Sequence, residues 1–457
     1  MFAHTSRRVG KALCWSALTG EAHSVSLAMS LLTTSTVAEY CQDALKGVDG
    51  LPLDLSAPLQ VREIVGGNLN YAFCVHEAAQ PSRAVFVKQA PEFIKCLGPD
   101  FALAAKRIVL ESEVMREYQR LAPAHAPRHV LLDEARFVLV LQYLDGYTLL
   151  REELLAGKVA TRVAAELGAF MGLTHRKTHA TMLTDEERFE TMPEQRFANE
   201  MMCGITADYV FTKPMAADDP TNRCSDALAP HAAALRKDGE LKEAMLAMRS
   251  VFQTRRECLV HGDLHTGSIM VPAAAAAAAL GTKPVDAPAV VIDAEFAFYG
   301  PAAFDAGVLF ANLLFAAIRH GVLGAPGVQA ALLESIYDCW NTYVGVLMTP
   351  AASAGPHDKA PKRPHPQLGA EEAILQLLHE TAGFCGCELL RRVVGAAHVD
   401  DLESIAEPRQ KLRAERVALC LGAMLLKGRA ELEDIGGLLE KAAEAEQRVA
   451  GGQQGAY

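Results

Sequence analysis

A chain of 457 residues is too long for one compact core, so two or more lobes are expected. Half the residues are hydrophobic, and the formal net charge of -11 argues against nucleic acid or an anionic membrane as a main partner. The 11 cysteines are scattered from Cys14 to Cys420 with no CxxC pair, which argues against a disulfide scaffold or zinc ribbon and fits a reducing, cytoplasmic setting.

Residues 1–36 carry Arg7, Arg8 and Lys11 against a single acid, Glu21. They are expected to be a disordered extension, with Met29 as an alternative start. A mitochondrial presequence is the other reading of such a basic, Ser/Thr-containing segment. No apolar run reads as long enough to span a bilayer. Pro301 to Ile318 comes nearest and is interrupted by Asp305 and Asn312.

A first lobe is expected over 37–144. It opens with a short helix, Val37 to Leu45. Val61–Val65, the turn Gly66-Gly67-Asn68-Leu69-Asn70, and Tyr71–Val75 then read as strand, glycine turn, strand. Such a turn is an ordinary hairpin device, or one that lets backbone amides approach a phosphate. Lys88 ends the apolar strand Ala84–Ala90. It is either a solvated strand end or a phosphate-binding lysine beneath the turn.

Helical periodicity over Ala105–Leu121 puts Ile108, Val114, Met115, Tyr118 and Leu121 on one face, with Glu111 in its middle and Glu113 and Glu117 opposite. A carboxylate centred on an apolar stripe needs a partner, and Lys88 is the nearest candidate. Phe137–Leu144 reads as a buried strand closing the lobe. Backbone groups from Gln142 to Leu144 would face a nucleotide base.

The second lobe, 145–457, is expected to be mostly helical. Val163–His175 and Leu241–Phe252 have helical spacing, and Phe211–Pro214 reads as a loop. Val260-His261-Gly262-Asp263-Leu264-His265 and Val291-Ile292-Asp293-Ala294-Glu295 each lead from apolar residues into acids. The expectation is two strands presenting carboxylates to one point. Three acids at one point call for a bound cation or a shared proton. The simplest chemistry has Asp263 activating a nucleophile and Asp293 and Glu295 holding magnesium.

A Ser-His-Asp reading of Ser268, His265 and Asp263 lacks a G-x-S-x-G elbow. His261 and His265 read as loop-holding side chains rather than metal ligands. Asp305 is placed to cap a buried helix reaching about His320. The alanine-rich stretch 272–287 and the stretch 351–367 read as surface insertions. Arg391 and Arg392 stand between Leu389-Leu390 and Val393-Val394, so at least one is expected to meet an anion at a crowded site.

The order glycine turn, Lys88, Glu111, connection, Asp263, Asp293 resembles protein-kinase-like enzymes, and His261-Gly262-Asp263 resembles their small-molecule branch. That branch carries a magnesium-binding Asn five residues after the catalytic Asp. Here that position is Ser268, and a second acid, Glu295, follows Asp293. His-Gly-Asp-Leu-His-Thr-Gly-Ser with Asp-x-Glu-Phe-Ala-Phe-Tyr-Gly-Pro is similar to the methylthioribose kinase family. Val87-Lys88-Gln89-Ala90, Val210-Phe211-Thr212, Arg391-Arg392-Val393-Val394-Gly395, Ala397-His398-Val399 and Asp401-Leu402-Glu403-Ser404-Ile405 also match it.

The resemblance implies an α+β bilobal fold: a small N-lobe with an antiparallel sheet and one main helix, a larger helical C-lobe, and the site in the cleft. It implies ATP bound by Gly66, Gly67, Asn68, Asn70, Lys88, Glu111, Gln142 and Leu144. It implies Mg2+ on Asp293 and Glu295, catalysis by Asp263, a sugar held by Asp263, Arg391 and Arg392, and a homodimer. The alternatives are a related kinase for choline, ethanolamine or an aminoglycoside, and a nucleotide-binding scaffold without turnover. The arginine pair disfavours cationic acceptors.

Overall fold

The computed structural model describes residues 30–159, 161–273, 287–349 and 370–452. Most of the expected N-terminal extension, most of the alanine-rich insertion and all of the 351–367 insertion lie outside the described residues.

The N-lobe is built on an antiparallel sheet of β1 (Leu59–Glu63), β2 (Tyr71–Glu77), β3 (Ala84–Gln89), β6 (His129–Asp133) and β7 (Val138–Gln142), in the order β1-β2-β3-β7-β6. Two short strands, β4 (Phe93–Ile94) and β5 (Gly98–Ala102), form a separate hairpin. Strand periodicity sorts the side chains to two faces. Val85 and Val87 of β3 and Val138 and Val140 of β7 pack with Val37 and Cys41 of helix α1 (Val37–Ala44). Leu139 and Leu141 turn to the other face and meet Ile108 of helix α2 (Arg107–Leu121). Lys88 alternates with Val87 and so lies on the α2 side.

The C-lobe core centres on helix α3 (Ala303–Val322). By length and composition this helix could cross a bilayer, contrary to the sequence expectation, but 94% of its apolar window is buried inside the fold. An apolar helix enclosed by others is the interior of a large lobe. Around it, the helix Thr161–Thr178 lies against Pro326–Leu347 so closely that a Cβ on Gly172 would stand 2.6 Å from the Val346 Cβ.

Three expectations need correction. Phe211–Pro214 is not a loop: Ala207–Thr212 is a π-helical turn and Lys213–Met215 a 3-10 turn, with Pro214 in the first turn where its missing N–H is harmless. Asp305 is not the cap of α3 but stands inside its first turn. The two acid-bearing strands also belong to different sheets. β9 (Cys258–Val260) pairs with β12 (Phe298–Gly300), whereas β11 (Val290–Val291) pairs with β10 (Ile269–Pro272), which pairs with β8 (Tyr147–Leu149). The acids converge through the loops that follow these strands.

Candidate active site

The loop after β9 is fixed from three sides. The Asp305 carboxylate accepts the amides of His261 at 2.7 Å and Gly262 at 3.0 Å, and His175 Nε2 at 3.2 Å. Gly262 has φ +79°, and a Cβ there would overlap the carbonyl oxygen of Phe296. Only glycine lets the loop pass this close to the Asp293–Phe296 segment. His261 Nε2 donates to the Ile292 carbonyl at 2.9 Å, tying the two acidic segments together. His265 Nδ1 accepts the Gly267 amide at 2.9 Å, which leaves Nε2 toward Asp263 Oδ2 at 3.4 Å. Both histidines thus hold loops.

Asp263 faces a basic wall. Arg391 Nη2 and Arg392 Nη2 lie 3.8 and 3.9 Å from its Oδ1. Burial opposes charge on Asp263, but His265 and the two guanidinium groups outweigh it and hold the carboxyl well below the usual range. The arginines are themselves seated on Glu388, a fully buried carboxylate one helical turn earlier. Arg391 Nη2 and Arg392 Nε both donate to Glu388 Oε1, at 2.9 and 2.7 Å.

Across the cleft, Lys88 Nζ donates to Glu111 Oε1 at 2.8 Å, donates to Asp293 Oδ1, and stands 3.9 Å from Glu295 Oε1. The expected Lys88–Glu111 pair is therefore formed on buried side chains. Burial disfavours the Lys88 charge, yet Asp293, Glu111 and Glu295 outweigh it and raise its pKa above the ordinary lysine value. Burial pushes Glu111 up to about 7 against the pull of Lys88. Asp293 is held low, because Lys88 and His261 overcome its burial.

Glu295 is deeper. Asn70 Nδ2 donates to both its oxygens at 3.0 Å, and Arg107 Nε donates to Oε2 at 3.1 Å. Burial still raises its pKa. Asn199 Nδ2 supports the segment from below, donating to the carbonyls of Glu295 and Ala297 at 3.0 and 2.9 Å.

The donor chemistry fits a hard divalent cation. Asp293 and Glu295 are oxygen donors two positions apart on one loop, and Asp293, the one held in its charged form, has a half-exposed side chain. No group of three or more His, Cys, Asp or Glu side chains forms a ready cage among the described residues. Magnesium is commonly held by one or two carboxylates plus phosphate oxygens, so none is needed.

The remaining expected residues fall as follows. Gly66, Gly67 and Asn68 are exposed in the β1–β2 turn, while Asn70 points inward to Glu295. At the connection, the Gln142 amide donates to the Arg128 carbonyl at 2.8 Å and the Leu144 carbonyl accepts the Tyr147 amide at 3.3 Å. Ser268 is buried and its Oγ donates to the Asp263 carbonyl at 3.1 Å. Sequence reasoning missed Arg107, Glu388 and Asn199. A signal existed for the first two: Arg107 precedes Glu111, and Glu388 precedes Arg392, by one helical turn.

A lysine-bearing sheet facing a carboxylate loop, with a basic wall beyond it, defines a small-molecule phosphotransferase of the bilobal kinase type. The chain matches the model of the phosphotransferase enzyme family over residues 60–336 and belongs to that family. It is 34% identical to a methylthioribose kinase of Geobacillus kaustophilus over 369 residues, covering 81% of this chain and 87% of the relative. It is 30% identical to a methylthioribose kinase of Yersinia pseudotuberculosis over 421 residues, 90% of this chain and 97% of the relative. Among solved structures, a choline kinase from Cryptosporidium parvum aligns at 12% identity and a TM-score of 0.44, covering 91% of this chain and 98% of that one. Within the phosphotransferases, the chain belongs to the methylthioribose kinase family.

Proposed function

We propose that this chain transfers the γ-phosphoryl group of ATP to the anomeric hydroxyl of 5-methylthio-D-ribose, giving 5-methylthioribose 1-phosphate for methionine salvage. The observation that carries the reading is Asp263, held ionised between His265 and the arginine pair and backed by the loop that also fixes Asp293. A carboxylate this acidic is a weak base. Its part is to accept a hydrogen bond from the acceptor hydroxyl and aim that oxygen at phosphorus, which suffices where the transition state is loose. Lys88, braced by Glu111, binds the α- and β-phosphates. Arg391 and Arg392 offset charge at the transferred phosphoryl group. Asp293 and Glu295 would hold magnesium, which when bound supplies positive charge to the phosphate oxygens.

A panel of methylthioribose, choline and an aminoglycoside tests the acceptor. Transfer to methylthioribose alone is expected; transfer to choline instead would refute the reading. Asp263→Asn should abolish turnover while Mg-ATP still binds. Wild-type turnover in that variant would remove Asp263 from the chemistry.

A further inference from the structure

Arg107 is the most heavily bonded side chain of the N-lobe face described above. It has no exposed side-chain surface, and it begins α2 one turn before Glu111. Its Nη1 donates to the carbonyls of Pro91, Leu103 and Ala104 at 3.0, 3.2 and 2.9 Å. These three bonds anchor it to the backbone that leads into α2. Its other two nitrogens reach out of that anchor. Nη2 donates to the Leu69 carbonyl at 3.1 Å and to Asn70 Oδ1 at 2.8 Å, and Nε donates to Glu295 Oε2 at 3.1 Å. Asn70 closes the triangle by donating its amide to both Glu295 oxygens.

We propose that Arg107 is a positioning residue that joins the end of the glycine turn and Glu295 into one unit, so that metal and nucleotide bind to a preset pair of lobes. The proposal rests on the kinase reading above and adds a residue that the reading does not need. The geometry explains why an arginine stands here. A planar fork donates in separate directions at once, which a lysine ammonium on a flexible stem cannot reproduce. The guanidinium also offsets one carboxylate of the cluster without occupying the cleft. Its effect on the reaction therefore passes through Asn70 and Glu295 rather than through contact with substrate.

The test is calorimetric binding of Mg-ADP, of ADP in EDTA, and of methylthioribose to wild type, Arg107→Lys, Glu295→Gln and the double variant, with thermal unfolding of each. Loss of such a supporting partner should weaken Mg-ADP about tenfold or more. ADP in EDTA should weaken less, and methylthioribose should be unchanged. The double variant should be little worse than the weaker single variant, because both changes break the same link. Equal weakening of all three ligands, additive effects, or unchanged Mg-ADP affinity would overturn the proposal. If Arg107→Lys does not fold, Asn70→Ala removes two sides of the triangle, leaving the Arg107–Glu295 bond and the three anchoring bonds; unchanged Mg-ADP affinity there overturns it equally. Failure of the wild type to phosphorylate methylthioribose would sink the acceptor assignment alone, since Arg107 is read through nucleotide affinity.

Discussion

Ser268 Oγ donates to the backbone carbonyl of Asp263 at 3.1 Å. The position where the wider kinase pattern carries a magnesium-binding asparagine is thus spent on closing the catalytic loop upon itself. The serine is buried and turned to the backbone, so it braces Asp263 from behind. Ser268→Ala should cost about 1 kcal/mol of stability, the usual net value of one buried hydrogen bond. The magnesium concentration for half-maximal activity should stay within about twofold, because the hydroxyl is committed to the Asp263 carbonyl rather than turned to the carboxylates that would hold the ion. Titration of activity with magnesium checks this, and a large rise would show that Ser268 faces the metal.

Asp305 does for the start of that loop what Ser268 does for its end. Asp305→Ala leaves the His261 and Gly262 amides without their acceptor. Each unpaired buried amide costs about 1–3 kcal/mol, and His175 loses a partner as well. Burial opposes the Asp305 charge, but hydrogen bonding and charge from His175, with His261, overcome it, so the carboxylate form is what the loop is built on. Asp305→Asn keeps one acceptor and the shape, and should be milder. Urea unfolding should rank wild type above Asn above Ala, with kcat falling in the same order. An alanine variant as stable as wild type would refute the brace.

Much of this was legible in the sequence for specific physical reasons. Glu111 could be paired with Lys88 because a charge on an apolar helical stripe announces a missing partner, and the pair is formed at 2.8 Å. Asp263 and Asp293 could be placed together because each follows an apolar run. The pairing of those runs could not be read, since β9 and β11 are three and two residues long and each joins a partner chosen by tertiary packing. Asp305 was misread because an acid at a helix start looks the same whether it caps its own helix or reaches across to another loop. The link from Arg107 to Glu295 spans 188 positions, and nothing local encodes it.

Glu388 controls the direction of the basic wall. It takes hydrogen bonds from both Arg391 and Arg392, which stand at nearly equal distances from Asp263. Glu388→Gln removes the counter-charge and leaves two buried guanidinium groups sharing Asp263. Breaking a buried pair this way costs about 3–5 kcal/mol. The arginines should close on Asp263 and block the acceptor oxygen. Steady-state kinetics should show a fall in kcat and a rise in the acceptor KM, with the ATP KM nearly unchanged. A selective rise in the ATP KM would place the pair on the nucleotide side.

Asp401 follows the arginine pair in the Asp401-Leu402-Glu403-Ser404-Ile405 motif, and it gives the chain a pH-dependent weakness. It is buried, and its Oδ2 has no hydrogen-bond partner. Burial raises its pKa to about 6, since the opposing pull of its own backbone amide, Arg151 and Arg319 is weaker. In the unfolded chain an aspartate titrates near 3.9, so the folded state holds the proton to higher pH. The contribution to stability is therefore complete below about pH 4 and is lost as pH rises through about 6. A displacement of about 2 units corresponds to roughly 3 kcal/mol of differential stability. Asp401→Asn keeps the protonated shape and cannot ionise. It should be more stable than wild type at pH 8, and the gap should narrow to about 1 kcal/mol at pH 4.5. Urea unfolding of both proteins at the two pH values isolates the effect, because other titrating groups such as Glu380 are common to both. Equal pH dependence in the two proteins would mean that water or a neighbouring cation satisfies Asp401 and that its burial carries no penalty.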